Sequence, residues 1–189
     1  MGFKMSDLKQ KIIQFDYDVN FKEEDFFVSK SNKHILNFFD KWPKWEKNFL
    51  NINGEKYSGK SHLINIFLKK FKGIKLEANS LDNKDIKDIK IYENIILENL
   101  SKETDEKLLY TLLNTIDQDN KYLIVTSSLS IVDIEFDLED LRSRTKNFIL
   151  LNIEKPDDEL IFALLLKNFS DRQISIDEKL IDYMIKRID

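Results

Sequence analysis

The chain contains a phosphate-binding loop pattern, and this pattern constrains the fold more than any other feature of the sequence. Residues 54–61 read Gly-Glu-Lys-Tyr-Ser-Gly-Lys-Ser, which fits G-x-x-x-x-G-K-[ST] at every fixed position. A short apolar run, Phe49–Ile52, precedes the loop, and apolar residues at helical spacing follow it. Such a loop turns successive backbone N–H groups towards a phosphate chain and adds the positive end of the helix dipole. The sequence therefore predicts a strand–loop–helix unit that binds a nucleotide.

The whole loop and the residue after it are the predicted nucleotide-binding residues. They are Gly54, Glu55, Lys56, Tyr57, Ser58, Gly59, Lys60, Ser61 and His62. In such loops the lysine, here Lys60, reaches the β- and γ-phosphates, and the hydroxyl of Ser61 ligates Mg²⁺. The expected cofactor is ADP or ATP with magnesium.

Charge and hydropathy exclude several classes of protein. The 189 residues carry 30 Lys and Arg against 34 Asp and Glu, a net charge of −4. Sequence-independent DNA binding is driven by excess positive charge, so we expect any DNA contact to be weak or indirect. There is no cysteine, hence no disulfide or thiol chemistry. No signal peptide and no apolar run near about 18 residues is recognised, so we expect a cytoplasmic protein without membrane contact.

Apolar runs and helical patterns alternate along the chain. Five short, continuous apolar runs are predicted strands: 49–52, 74–76, 94–97, 122–126 and 148–151. Such runs suit a parallel sheet covered on both faces, and their alternation with helices predicts a three-layer α/β domain. From Pro156 onward the pattern is wholly helical. We predict an amino-terminal arm over 1–22, an α/β nucleotide-binding domain over 23–154, and part of a helical lid over 155–189.

Further motifs flank the loop in a characteristic order. Trp-Pro-Lys-Trp at 42–45 precedes it, and Leu-Arg-Ser-Arg at 141–144 and Glu-Lys-Pro-Asp-Asp-Glu at 154–159 follow. From about residue 14 to residue 189, the chain resembles the AAA+ domain of the bacterial replication initiator DnaA. It is more similar still to the Hda-like regulators that inactivate this initiator, in which Trp-Pro-x-Trp is typical. The resemblance implies a P-loop fold with strand order 5-1-4-3-2. No helix-turn-helix pattern is recognised, which favours the regulator over the initiator.

The resemblance also implies roles at the end of the third strand. Glu98 stands where the family has the Asp that supports magnesium, and Asn99 stands where it has the carboxylate that polarises the attacking water. An amide cannot accept a proton at neutral pH, so intrinsic hydrolysis is expected to be weak or absent. In the family's usual loop, Pro stands at Glu55 and Gly at Tyr57, and both changes disfavour tight nucleotide binding. The alternative is that Glu98 and Asn99 form a surface turn.

Arg144 is implied to be an arginine finger, which projects into the nucleotide site of a neighbouring subunit. Such a guanidinium accelerates phosphoryl transfer by about 10³–10⁵ in well-studied cases. The alternative is that Arg142 and Arg144 are ordinary solvated charges. Ser127, with Thr126 before it, ends the fourth strand. It is either the family's first sensor, a hydroxyl that orients water or phosphate, or a simple strand-end cap.

Residues 14–19, Gln-Phe-Asp-Tyr-Asp-Val, resemble the peptide by which Hda-like proteins dock into the sliding clamp of the polymerase. Gln14 is the expected polar anchor, and Phe15 and Tyr17 are the apolar ones, although Leu is usual where these aromatic residues stand. The alternative is an arm that folds back on its own domain.

Three functions follow from these expectations. The first is an Hda-like negative regulator of replication initiation, which binds the sliding clamp and stimulates ATP hydrolysis by DnaA through Arg144. The second is an autonomous ATPase of the initiator or helicase-loader type, acting on DNA. The third is an adaptor that joins initiator and clamp without stimulating hydrolysis. Each of the three functions is compatible with a homodimer.

Overall fold

The computed structural model describes residues 26–175, 177–185 and 187. The predicted clamp-binding residues Gln14, Phe15 and Tyr17 lie outside the described residues. In chain order the elements are α1 (Lys33–Phe39), β1 (Phe49–Asn53), α2 (Lys60–Lys70), β2 (Gly73–Glu77), α3 (Asn83–Asp88), β3 (Asn94–Leu100), α4 (Glu106–Gln118), β4 (Tyr122–Ser127), α5 (Glu139–Thr145), β5 (Ile149–Asn152), α6 (Asp158–Asp171) and α7 (Glu178–Ile185).

The five strands form one parallel sheet in the order β2-β3-β4-β1-β5. The predicted five-stranded parallel sheet and its strand order are confirmed. The largest difference is in β3, which continues past the predicted Leu97 to Leu100. The register between β3 and β4 shifts between these two residues, so the end of β3 departs from regular pairing just where the candidate site begins.

Helices cover the sheet on both faces, which is why the strands read as continuous apolar runs. On one face α1 and α2 pack against the sheet through a buried cluster: Ile35, Phe39, Trp45, Leu50, Ile52, Leu63, Ile64, Phe67, Ile96, Ile124 and Ile153. The other face carries α4 and α5, with Leu109, Leu112, Leu113, Ile116 and Leu141 buried against the alternate residues of the same strands. Successive strand residues therefore face opposite layers, as the period of two requires.

Helix α3 was not predicted, although the sequence carries its start signal. Asp82 accepts hydrogen bonds from the backbone N–H groups of Lys84 and Asp85, and the Asp85 carboxylate accepts one from the N–H of Asp82. This reciprocal pair is a capping box with Asp at both positions. Two of the N–H groups that a helix start leaves unpaired are thereby satisfied.

Helices α6 and α7 follow the sheet and account for the wholly helical pattern after Pro156. Asp157 caps α6 by accepting a hydrogen bond from the N–H of Leu160 at 2.9 Å. The predicted division into arm, domain and lid stays a prediction. In the part of the chain that the structure describes, no helix is both long and apolar enough to span a bilayer.

Candidate nucleotide site

The phosphate loop lies between the end of β1 at Asn53 and the start of α2 at Lys60. Gly59 is the N-cap of α2, at φ 92°. This left-handed conformation suits glycine, which lacks a Cβ. No side chain caps the first turn of α2, so its N–H groups are available to an anion, and the helix dipole favours negative charge there. The local backbone is therefore suited to phosphate.

Gly54 makes the tight start of the loop possible. A Cβ at this position would lie 2.8 Å from Ser58 Oγ and 3.1 Å from Ile153 Cβ, which is too close. The N–H of Gly54 donates to the carbonyl of Ser127 at 3.2 Å, and the N–H of Ile153 donates to the carbonyl of Asn53 at 2.8 Å. The loop is thus held between the ends of β4 and β5.

Lys60 points back into the loop that precedes it. Its ammonium donates to the carbonyls of Gly54 and Glu55, both at 2.7 Å, and to Ser58 Oγ at 3.5 Å. Burial lowers the pKa of Lys60 below its ordinary value. A phosphate chain requires a cation at the loop, and the Lys60 ammonium, held here by backbone carbonyls, is placed to provide it. These contacts fit a nucleotide.

Tyr57 differs from its expected behaviour. Tyr57 stands where the family has Gly, and it adopts φ 69°, a conformation that an aromatic residue ordinarily resists. The ring points to solvent, with 91% of the residue exposed, so it does not fill the loop. A left-handed conformation costs a residue with a Cβ about 1–2 kcal/mol. Glu55 is also exposed, so its charge is screened by water.

A cavity of about 400 Å³ adjoins the loop. Its walls are residues 54–58, Ser128 at the end of β4, and residues 152–156 after β5. Ser61 is exposed at the first turn of α2. The ring of His62 lies 4.9 Å from the ring of Phe26, centroid to centroid, so His62 packs against the segment before α1.

Glu98 lies in β3, two residues before its end, with its side chain on the face of the sheet covered by α2. Its side chain is 10% exposed, and its Oε2 lies 3.1 Å from Lys75 Nζ in β2. Lys75 Nζ also donates to Asn65 Oδ1 of α2 at 3.2 Å. Glu98 Oε1 is buried and has no hydrogen-bond partner among the described residues. The carboxylate expected to support magnesium is therefore already paired with an ammonium.

Asn99, the next residue, is exposed at φ 60°. Its Nδ2 donates to Glu77 Oε2 at 3.0 Å, and its backbone N–H donates to Thr126 Oγ1 at 3.1 Å. In the described part of the chain, no three acidic or imidazole side chains are grouped to hold a metal ion. The loop fits a nucleotide, whereas Glu98, already paired with Lys75, does not fit the role of magnesium support in this arrangement.

Ser127 is buried, and its hydroxyl is fully engaged. It accepts a hydrogen bond from Asn51 Nδ2 at 2.8 Å and donates to the carbonyl of Leu129 at 2.5 Å. Asn51, also buried, accepts from the N–H of Ile131 at 2.9 Å. These bonds fix the loop after β4. They favour strand-end capping over the sensor interpretation of Ser127.

Arg144 lies at the end of the sheet where the strands begin, whereas the phosphate loop lies at the end where they finish. It belongs to the last turn of α5, just before β5 begins at Ile149. Its Nη1 lies 3.6 Å from Asp117 Oδ2, near the end of α4, and its guanidinium lies 5.5 Å from the Tyr110 ring centroid. The loop follows the carboxyl end of β1. The five residues of β1 separate the amino and carboxyl ends of the strand by roughly 16 Å. The side chain of Arg144 cannot span that distance to the loop of its own chain.

Helix α5 is placed by Glu106, at the first turn of α4. The two carboxylate oxygens of Glu106 accept hydrogen bonds from the N–H groups of Asp137 and Leu138, both at 2.7 Å. Arg142, on the same helix, is exposed and has no side-chain partner among the described residues. Of the two arginines, Arg144 is therefore the one held in a defined position.

No protein-family model matches the chain, and no curated protein matches it by sequence. Solved structures do match. AMPPCP-bound DnaA from Aquifex aeolicus is similar with a TM-score of 0.71 and 18% identity, over 88% of this chain and 60% of that one. Domain III of DnaA from Thermotoga maritima has a TM-score of 0.66 and 17% identity, over 89% of this chain and 81% of that one. A putative primosome component from Streptococcus pyogenes has a TM-score of 0.55 and 19% identity, over 71% of this chain and 86% of that one.

These similarities show the fold of the chain. The five-stranded parallel sheet between helices is the α/β fold of the AAA+ domains of DnaA. The chain spans about 60% of the length of the Aquifex aeolicus DnaA structure that it matches.

Three residues of the site were not predicted. Lys75 interrupts β2 between Ile74 and Leu76, and Asn51 interrupts β1 between Leu50 and Ile52. For Asn51, a polar residue inside a short buried strand is the signal that could have identified it, because buried polar groups need partners. Lys75 is exposed, so only its position between two apolar residues marks it. Glu106 is the third, and nothing in the sequence connects it with residues 137 and 138.

Proposed function

We propose that the protein is an Hda-like negative regulator of replication initiation. In this proposal it binds ADP or ATP at residues 54–62, meets ATP-bound DnaA across an AAA+ interface, and inserts Arg144 into the nucleotide site of DnaA. The DnaA-like fold supports the choice of partner, because two domains of one fold can present complementary faces in a head-to-tail contact.

The distance between Arg144 and the phosphate loop carries the proposal. An arginine at the edge where the strands begin cannot stabilise phosphoryl transfer at the loop of its own chain, which follows the carboxyl end of β1. It is available to a site on another subunit. A guanidinium there neutralises charge that develops on the transferred phosphoryl group.

The chain's own site supports a role other than hydrolysis. Asn99 offers an amide where a water-activating carboxylate is needed, and that amide is bonded to Glu77. Glu98 is paired with Lys75. Together these contacts support nucleotide binding with little or no turnover, as expected for a regulator that acts on its partner.

The segment containing Gln14, Phe15 and Tyr17 is proposed to bind the sliding clamp, by sequence pattern alone. A short peptide with a polar anchor and two aromatic anchors suits a hydrophobic groove. Binding to a clamp loaded on DNA would bring the regulator to DNA indirectly, which agrees with the net charge of −4.

The test is the hydrolysis of ATP bound to DnaA in the presence of a DNA-loaded clamp, with and without this protein. Acceleration that requires the clamp supports the whole proposal. If a Gln14→Ala variant still accelerates hydrolysis, Arg144 acts without the proposed contact of Gln14 with the clamp. Absence of acceleration despite binding to DnaA or the clamp would favour the adaptor.

The alternative is an autonomous ATPase of the initiator or helicase-loader type acting on DNA. The complete loop, with Lys60 directed into it, and the similarity to a primosome component favour this alternative. Turnover of ATP by the isolated protein, measured with and without single-stranded DNA, distinguishes it from the regulator.

A further inference from the structure

We infer that an apolar groove between α1 and α2 binds residues 14–21 of the same chain through the aromatic side chains of that segment. The groove has a volume of about 260 Å³. Its apolar walls include Phe26, Val28, Leu36, Ile66 and Phe71. Residues 14–21 lie outside the described residues, so the inference concerns the surface that they bind.

The size and lining of the groove suit a side chain better than a cofactor. Sites for drug-sized ligands enclose about 300–1,000 Å³, and this groove is smaller. Val28 on its wall is 56% exposed, and the neighbouring Phe27 is 37% exposed. Covering such apolar surface is favourable, and aromatic side chains bring the largest apolar area to a small cavity.

The point where the arm joins the domain is the first argument for this occupant. Phe26, the first described residue, itself lines the groove, and its ring lies 4.9 Å from the ring of His62, centroid to centroid. The chain therefore enters the domain at the wall of the groove. Five residues span at most roughly 17 Å, so Phe21 is within reach of the cavity.

The pattern of the segment is the second argument. Residues 14–21 read Gln-Phe-Asp-Tyr-Asp-Val-Asn-Phe, in which polar and apolar residues alternate strictly. Alternate side chains of an extended chain point to opposite sides, so this pattern predicts one continuous apolar side. That side carries Phe15, Tyr17, Val19 and Phe21.

Charge complementarity is the third argument. Residues 14–25 contain five carboxylates and one ammonium. Lys70 lines the groove and is paired with Asp40 at 2.7 Å, whereas Lys69 and Lys72 are exposed beside it. An acidic segment is attracted to this basic end of α2, although salt screens the attraction.

The attachment of the segment makes a weak contact sufficient. A short tether gives an effective concentration of about millimolar, so a contact that is weak between separate molecules is still mostly formed. Docking would also engage Phe15 and Tyr17, the proposed anchors for the sliding clamp. This consequence rests on the proposed function, and it makes the groove and the clamp competitors for one segment.

A single introduced thiol can report whether the groove is covered, because the chain has no cysteine. Val28→Cys places the thiol on the wall of the groove. Ile91→Cys is the matched control, at an apolar residue that is 83% exposed and does not line the groove. Substitutions at exposed positions should leave the fold intact. The rate of reaction with dithiobis-nitrobenzoate is measured on the full chain, with the native segment and with Phe15, Tyr17 and Phe21 changed to Ser.

With the native segment, we expect the Val28→Cys thiol to react about tenfold more slowly than with the Ser-substituted segment. The Ile91→Cys thiol should react at one rate with both segments. Equal rates for the two segments at Val28→Cys would overturn the inference. Protection that increases with protein concentration would also overturn it, because the occupant would then be a second copy of the chain.

Addition of the sliding clamp separates this inference from the proposed function. If the clamp takes the segment, the Val28→Cys thiol should react as fast as it does with the Ser-substituted segment. Protection that persists at saturating clamp would contradict clamp binding through Phe15 and Tyr17, and it would leave the groove as the binding surface of the segment.

Discussion

The guanidinium of Arg144 is bound to Asp117 of the same chain, with Nη1 and Oδ2 3.6 Å apart. The side chain of Asp117 is 61% exposed, so the ion pair is screened by solvent and is worth about 0.2–1 kcal/mol. This contact orients Arg144 along α4, and it competes with any anion that a partner offers. Releasing Arg144 from Asp117 to a partner therefore costs little.

Asp117→Asn should therefore increase the stimulation of ATP hydrolysis by DnaA. Removing a screened pair of this strength should raise the rate by up to about fivefold, because Arg144 no longer has to leave a carboxylate. The rate of phosphate release from ATP-bound DnaA measures this.

The matched control is Glu135→Gln, which removes the exposed ion pair between Lys102 and Glu135, 3.4 Å apart. It should leave the rate unchanged. A decrease in stimulation with Asp117→Asn would mean that Asp117 positions the finger rather than competing for it.

Asn99→Asp should not restore hydrolysis by the protein itself. The new carboxylate would face Glu77 Oε2, to which Asn99 Nδ2 now donates at 3.0 Å, so two like charges would replace a hydrogen bond. We expect the free energy of unfolding to fall by about 0.5–1 kcal/mol, measured by urea denaturation, with basal ATPase near background.

The backbone should tolerate this change, since Asn and Asp both adopt positive φ more readily than other residues. Adding Glu77→Gln should recover the lost stability. A large rise in basal ATPase with Asn99→Asp alone would contradict the account of this site and favour the autonomous ATPase.

Tyr57→Gly should stabilise the protein relative to Tyr57→Ala by about 1 kcal/mol, because Tyr57 holds φ 69° and only glycine adopts it without strain. The comparison with Ala removes the effect of the exposed ring from the result. Chemical denaturation of the two variants measures the difference. Equal stability would show that the loop relaxes to another conformation when the ring is removed.

Nucleotide affinity should fall as the pH rises through the alkaline range. The fall should begin at a lower pH than it would for a lysine of ordinary pKa. Burial lowers the pKa of Lys60, so its ammonium loses its proton at a lower pH than in the unfolded chain. The same shift means that burying the charged Lys60 destabilises the fold at neutral pH. This cost is removed between the lowered pKa of the folded chain and the ordinary pKa of the unfolded chain, so stability rises with pH over that window.

Lys60→Arg is the control, since a guanidinium keeps its charge over this range. Titrations with ADP in EDTA at increasing pH should give a falling affinity for the wild type and a flatter profile for the variant. Parallel profiles would assign the pH dependence to another group.

The fold was largely predictable because the signals are local and strong. The loop motif fixes the end of β1 and the start of α2, and the continuous apolar runs identify five strands. The strand order came from the family resemblance, since short apolar runs carry no information about which strands are neighbours. Helix α3 was missed because its capping box is followed by no apolar stripe, and its helix has no buried residue.

The site was less predictable because its decisive contacts join distant parts of the chain. Lys75 and Glu98 lie on neighbouring strands, and their pairing depends on the register between β2 and β3. Arg144 on α5 meets Asp117 on α4, and Glu106 joins the start of α4 to the segment before α5. Periodicity and motifs report on short segments, so neither contact could be derived from them.

The central claim is that Arg144 acts on a nucleotide bound by another subunit, and two variants compared in one assay test it most directly. Lys60→Ala removes the loop cation of this chain, and Arg144→Ala removes the proposed finger. With ATP-bound DnaA and DNA-loaded clamp, we expect Lys60→Ala to accelerate hydrolysis as the wild type does, and Arg144→Ala to lose about 10³-fold of the acceleration. Loss of acceleration with Lys60→Ala, together with full activity of Arg144→Ala, would contradict the claim.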